Sequence, residues 1–216
     1  MNLSQLFRSY ELLVDKADRS FREMQQDYGE CVSCERHCSD CCNAVLGLFM
    51  IEAAYLKRNF DRLGKEEIKA ALFRCNEADR ALKQLEKMLL SYRNDPNMQA
   101  YAMARERLRC PLLDDNLDCI LHSFRPITCR VYGIPTRIQG KARVCGKSGF
   151  KKGVNYPAFD LDGVYRDLYN LSGELLKNSG IADIENASLL VSVSKTISTP
   201  FDILINEIFA KRSEDG

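Results

Sequence analysis

Five of the ten cysteines in this chain fall between residues 31 and 42, in the run Cys31-Val-Ser-Cys34-Glu-Arg-His-Cys38-Ser-Asp-Cys41-Cys42. That crowding constrains the fold more than any other feature. A single cysteine is most simply a small buried apolar side chain, but five in one short segment are not explained that way. Disulfides persist mainly in oxidising compartments, and 216 residues with 45% hydrophobic content can bury a core without such staples. Metal binding and redox chemistry are the readings that remain. Two-residue spacings let both thiolates of a tight turn face one metal, while backbone amides of the turn donate to the sulfurs. The adjacent pair Cys41-Cys42 departs from that pattern. Neighbouring side chains usually diverge, so these two are expected to serve different metals or different roles. A second group, Cys110, Cys119, Cys129 and Cys145, is widely spaced and must be gathered by folding.

Hydrophobic periodicity sets the fold class as mostly α: one helical, bundle-like domain around an irregular cysteine-rich metal-binding centre. Leu3, Leu6, Tyr10, Leu13, Ala17, Phe21, Met24 and Tyr28 recur at three- and four-residue steps, predicting a helix that Gly29 ends. Ile68, Ala71, Cys75, Ala78, Leu82, Leu85 and Leu89 predict a second, broken at Asn94-Asp95-Pro96. The two stripes are expected to pack on each other or on neighbouring helices. Cys75 sits in the apolar seam of the second and reads as core, not ligand. Shorter helices are expected over Met50–Phe60, close behind the first cysteine group, and over Met98–Leu108, leading into the second.

From Cys110 to Gly149, Pro111, Asp114-Asp115-Asn116, Pro126, Gly133, Pro135, Gly140 and Gly146 separate short apolar pieces, which is loop and short-strand chemistry. Helix returns after Pro157, with Val164, Leu168, Leu171 and Leu175 on one face and Gly180 as a stop. A last helix starts at Thr199-Pro200 with Asp202 in a capping-box position, ahead of Leu204, Ile205, Ile208 and Phe209, and the tail from Lys211 to Gly216 is expected to fray. The organisation is thus a single domain over 1–216, with a cysteine-cluster core at 31–149 flanked by helices within 1–28 and 157–216. Removing the metal should loosen the contact between its halves.

Thirty-one basic and 30 acidic side chains leave a formal charge of +1, so no overall field favours nucleic acid or an anionic membrane. Neither is expected as a partner; a protein or small-molecule substrate would be recognised locally. The N-terminal residues lack the apolar stretch of a secretory signal, and no apolar run is long enough to span a bilayer, which predicts a cytoplasmic protein.

Cys34-x3-Cys38-x2-Cys41 also meets the three-cysteine pattern of radical S-adenosylmethionine enzymes. Those enzymes carry it after the first strand of a βα barrel, and this chain shows no βαβ alternation, so that reading is set aside. The whole pattern instead resembles the zinc- or iron-chelating proteins of the YkgJ type, the CxxCxxCC cysteine-cluster family. The matching residues are Cys34-x3-Cys38-x2-Cys41-Cys42, Cys110-Pro-Leu-Leu ahead of Cys119-Ile120, Arg125-Pro126-Ile-Thr-Cys129-Arg130, and Cys145. The likeness spans Cys34 to Cys145 and leaves both flanking helical regions uncovered. His122 stands where the family usually has an aromatic residue, and Gly133 where it often has proline.

The resemblance implies eight metal-ligand positions: Cys34, Cys38, Cys41, Cys42, Cys110, Cys119, Cys129 and Cys145. Many thiolates and few imidazoles suit an iron–sulfur cluster, of the 4Fe-4S kind, or alternatively all-cysteine zinc, and the adjacent pair favours iron. Two four-cysteine sites and one cluster with spare thiols are both open. Arg125 and Arg130 bracket Cys129 and are cofactor-binding candidates: either guanidinium can donate to cluster sulfur or hold a substrate carboxylate, or else pair with Asp114, Asp115 or Asp118. His37 and His122 are left outside the ligand set, and Cys31 is unassigned. The expected function is an iron–sulfur protein with a redox or protein-modification role, an oxidoreductase or methyltransferase if it is an enzyme. The alternatives are a zinc-binding structural or storage module and a redox or metal sensor acting on a partner protein. No nucleophile–base pair or phosphate-binding loop identifies a catalytic residue.

Overall fold

A computed structural model describes residues 1–180 and 187–204. The chain is mostly helical, and the helices fall close to where the periodicity places them. Helix α1 (Leu3–Asp27) opens with a capping box in which Asn2 and Gln5 satisfy each other's backbone amides at 2.9 Å. Helix α2 spans Met50–Phe60. The longest helix, α3, runs from Lys65 to Ser91, and α4 (Pro96–Arg105) begins on an Asp95 cap with proline in its first turn. After the short α5 (Ile127–Val131) come α6 (Leu161–Asn178) and α7 (Val193–Ser198). Gly180 follows α6 at φ +78°, the left-handed stop that its position predicts.

The two long stripes take the second of their options. Helix α1 packs on α2, α5 and α6, while α3 packs on α4 and α7. Helix α2 packs on α1, α6 and α7, and its Met50, Ile51, Ala53, Ala54, Leu56 and Phe60 are all buried, together with Glu52, Lys57 and Asn59. A helix buried on nearly every side has no polar face to spare, so its polar groups need internal partners. Lys57 Nζ donates to Asp61 Oδ1 at 2.7 Å and to the Ile197 carbonyl at 3.3 Å. Asn59 donates to the Tyr55 carbonyl at 2.8 Å. Ser172 Oγ of α6 accepts the Ile51 amide at 3.2 Å.

Small sheets tie the ends together. β1 (Gly47–Leu48) pairs antiparallel with β5 (Val191–Ser192), which fixes the segment after the first cysteine group to the start of α7. β2 (Thr136–Ile138) lies between antiparallel β3 (Lys141–Arg143) and parallel β4 (Phe159–Asp160). The predicted helix over Met98–Leu108 stops earlier, at Arg105. The chain beyond it turns extended because the Leu108 and Cys110 amides donate to the carbonyls of Asn43 and Cys42, at 2.9 and 2.7 Å. Residues 201–204 are helical, with the Leu204 amide on the Pro200 carbonyl at 2.8 Å; Ile205, Ile208, Phe209 and 211–216 lie outside the described residues. No helix among the described residues is long and apolar enough to cross a membrane.

Glu52 connects this frame to the cysteine-rich half. Its Oε2 accepts the Phe49 amide at 3.3 Å, closing the start of α2, and its Oε1 accepts the Ile127 amide at 3.0 Å, opening α5. Burial pushes its carboxyl up to about 7 against the pull of those two amides. The folded chain therefore holds this proton more tightly than the unfolded chain, so stability declines as pH rises from about 4.3, the ordinary glutamate value, to about 7 and is level beyond it. That decline should reach roughly 3 kcal/mol. Urea midpoints measured across the interval should drop in the wild type relative to Glu52→Gln, in which the other titrating groups, His122 among them, still act; an equal slope in both would remove Glu52 as the cause.

Candidate metal centre

The two cysteine groups are joined by backbone before any side chain is considered. Between Gly29 and Asn43 the chain makes three tight turns: Gly29–Cys31, a turn closed by the Cys38 amide on the Glu35 carbonyl at 3.1 Å, and the 3₁₀ turn Cys41–Asn43. His37 takes φ +67° inside the second of these and its Nδ1 meets the Asn116 carbonyl at 2.9 Å. The pairing of Cys110 with Cys42 then sets the second group beside the first. Beyond it, a hairpin-like loop is stapled by Asp114 Oδ1, which accepts the Asn116 and Asp118 amides at 3.0 and 2.8 Å and returns the chain so that Cys119 bridges to Leu113. Cys129 rides on α5. Cys145 follows β3 in a loop tied to the first group by Ser33 Oγ on the Lys147 carbonyl at 2.8 Å and by the Gly149 amide on the Cys31 carbonyl at 2.8 Å.

The result is one chamber of about 610 Å³ lined by Cys34, Cys38, Cys41, Cys42, Cys110, Cys119, Cys129 and Cys145. Phe21 of α1, Leu82 of α3, Leu108 and Leu112 supply apolar wall, and His37, His122, Arg125 and Arg130 also line it. Cys31 and Cys75 are absent from the wall. Cys75 is buried in the core, its thiol 3.9 Å from the Ser194 carbonyl of α7, as its place in the α3 seam predicts. Cys31 is buried and contributes a carbonyl to the loop staple. All ten cysteines are free thiols. The eight sulfurs surround the chamber without drawing together: among the described residues, no three His, Cys, Asp or Glu side chains form a set that could hold a single metal ion as they stand.

Thiol chemistry differs around the wall. Cys119, Cys41 and burial push the Cys42 thiol up strongly. Cys41 is brought down to about 7, by Cys42 first and with help from Arg125, and Cys119 is lowered by Cys42 as well. Burial raises Cys129 well above its ordinary value and Cys110 to about 12. Cys34 is the one exposed member, raised to about 11 by desolvation and by Cys38 and Cys145.

The two arginines separate clearly. Arg130 is buried, and its donors are committed to Asp18 Oδ2 at 2.7 Å, the Arg125 carbonyl at 2.9 Å and the Ser123 carbonyl at 2.5 Å, so it fastens the cysteine-bearing loop to α1. Arg125 is the one whose charge falls on the thiols, lowering Cys34, Cys41 and Cys119, and its side chain lies against His122 at 2.6 to 2.9 Å. Burial and that guanidinium lower the His122 pKa, which favours the neutral ring. Asp115 and Asp118 pair elsewhere, with Arg109 at 3.6 Å and Arg36 at 3.1 Å.

Two further residues shape the site, and neither stood among the candidate ligands. Asp40 accepts from Arg107 at 2.6 Å and from the Cys145 thiol at 3.3 Å, and it stands 3.7 Å from Lys147, so it orients the last cysteine loop. Its position between Cys38 and Cys41 was the only hint. Gly133 backs Cys34 so closely that a Cβ there would stand 2.1 Å from its sulfur. Of the residues in the sequence pattern it is the one whose lack of a side chain shapes the chamber.

Compared with protein-family models, with curated proteins and with solved structures, the chain matches none. The likeness to the cysteine-cluster family rests on the quoted residues alone.

Because the atom in the way of a residue-133 side chain is the free end of Cys34, Gly133→Ala should be accommodated by rotation of that thiol out of the chamber. The variant should melt within a few degrees of wild type, a cost of about 1 kcal/mol or less, while Cys34 reacts faster with iodoacetamide in peptide mapping. Unchanged Cys34 reactivity would show that the contact does not hold the thiol in place.

Proposed function

We propose that the chain is a metal-binding cysteine-cluster protein whose chamber carries an iron–sulfur cluster of the 4Fe-4S kind, with a redox or protein-modification role. One observation carries the reading: the eight cysteines of the sequence pattern line one chamber, and the two cysteines outside that pattern do not. The donor set is all thiol, which suits soft metals and iron–sulfur clusters. The space of about 610 Å³ is far more than a single four-coordinate ion fills, with its sulfurs about 2.3 Å from one point.

Thiolates from the wall would hold the cluster, and Arg125 would offset part of their negative charge. Such a cluster supplies one-electron transfer. The apolar wall beside it and the Arg125 cation would receive a small molecule or a protein side chain at the same chamber. Zinc held by the same thiols, as structure or store, is the competing reading.

Anaerobic purification followed by metal analysis and an absorption spectrum tests this. Iron and sulfide with broad visible absorption that bleaches on reduction are the expected result, and colourless protein with stoichiometric zinc would replace iron by zinc. Cys119→Ser should lose the absorption and the iron together. Cys75→Ala should retain both at a stability cost of about 1 kcal/mol, because it removes a core sulfur and no ligand.

A further inference from the structure

Among the described residues, three that are not glycine take a left-handed backbone: His37 at φ +67°, Leu117 at φ +63° and Gln139 at φ +51°. Gln139 has an ordinary reason, because with Gly140 at φ +70° it makes the two-residue turn between β2 and β3, which demands that conformation. The other two belong together. Asn116, the residue before Leu117, presents its carbonyl to His37 Nδ1 at 2.9 Å, and both His37 and Leu117 line the chamber. Asp118 stands 3.6 Å from the same nitrogen and accepts from Arg36 at 3.1 Å. Two turns that each cost free energy for a residue bearing a side chain thus meet at one imidazole.

That contact sets the chemistry of the ring. A carbonyl oxygen only accepts, so Nδ1 carries the hydrogen, and in the neutral ring Nε2 keeps its lone pair. Among the described residues Nε2 has no hydrogen-bond or ion-pair partner. The other histidine is placed differently. Arg125 Nη1 lies 2.9 and 2.6 Å from the two ring nitrogens of His122, and a guanidinium only donates, so the lone pair of that ring is taken. His37 is therefore the histidine of the chamber wall with a free donor nitrogen, and its other nitrogen is bound to a backbone carbonyl. Metal-ligating histidines are oriented in this way, by a carbonyl or carboxylate on the nitrogen that does not meet the metal.

We infer that His37 is a metal ligand through Nε2, a nitrogen donor added to the thiols of the chamber. The inference rests on the metal-centre reading above and amends the expectation that both histidines stand outside the ligand set. Asn116 and Asp118 are the positioning residues of the ring. Imidazole suits iron and zinc alike. It is a neutral donor, so it adds no negative charge where each bound thiolate adds one, and histidine in place of cysteine raises the reduction potential of an iron–sulfur cluster. Because no three donors yet stand together among the described residues, an ion draws the loops inward as it binds, and the Glu35–Cys38 turn carries His37 with it.

The chain has two histidines, so a histidine label reports on very few positions. Untagged full-length protein carrying histidine labelled with heavy nitrogen is loaded anaerobically with ferrous iron and sulfide, reduced, and read by pulsed electron paramagnetic resonance. Wild type and His122→Gln should both show coupling to the labelled nitrogen, and His37→Gly should lose it. Glycine accepts the left-handed backbone at position 37, and circular dichroism checks that this variant is folded. Should it not fold, His122→Gln decides alone, since His37 is then the one histidine in the chain. Iron-loaded wild type without the coupling overturns the inference, and so does coupling that disappears in His122→Gln. Where metal analysis finds zinc in place of iron, X-ray absorption at the zinc edge takes over: imidazole scattering beside sulfur, absent from His37→Gly, supports the ligand, and sulfur alone overturns it. A wild type that binds neither metal overturns the metal-centre reading itself.

Discussion

The cysteine-bearing half of this protein is fastened to its helical half by one buried carboxylate. Glu52 closes the start of α2 with one oxygen and opens α5 with the other, so the helix that carries Cys129 begins where the most buried helix of the core allows it. Burying a carboxylate is costly unless its oxygens are matched by donors, and here two backbone amides meet them. Arg130 adds a second fastening from the same short helix, reaching Asp18 on α1 and two carbonyls of the loop before it. A polar pin of this kind tolerates little displacement, and it sets the depth of the chamber floor.

Above that floor the wall is made by loops that have almost no secondary structure of their own. Their order comes from pairing across the two sequence groups, Cys42 with Cys110, Asn43 with Leu108, Cys31 with Gly149 and Ser33 with Lys147. Each such bond satisfies a backbone group that a loop would otherwise leave to water. The rigid and the adjustable sides of the chamber therefore come from different sources, a helix-anchored floor and a mutually laced rim.

The sequence carried a great deal of this, and the reason is local physics. Three- and four-residue apolar steps mark α1, α3 and α6 because one face of each is buried, and the Cys75 seam position read correctly as core for the same reason. The eight cysteines that line the chamber are the eight that the family resemblance implies, while spacing alone left Cys31 beside them. Features that depend on long-range hydrogen bonds were not. The Leu108 and Cys110 amides, bound to a distant loop, end α4 early; Glu52 reads in the sequence as an acid in the first turn of α2, and its second partner, the Ile127 amide, leaves no trace there. Arg125 and Arg130 looked equivalent beside Cys129, and only their surroundings separate a guanidinium spent on structure from one whose charge reaches the thiols.

The backbone pairing of Cys42 with Cys110 also fixes an order of events during synthesis. All of α2, α3 and α4 lies between the two segments of that pairing, so the contact closes a long loop and cannot form until those helices have emerged. The first five cysteines leave the ribosome early and wait, as free thiols, for partners encoded much later. The wall of eight thiols is complete only once the chain has been made as far as Cys145.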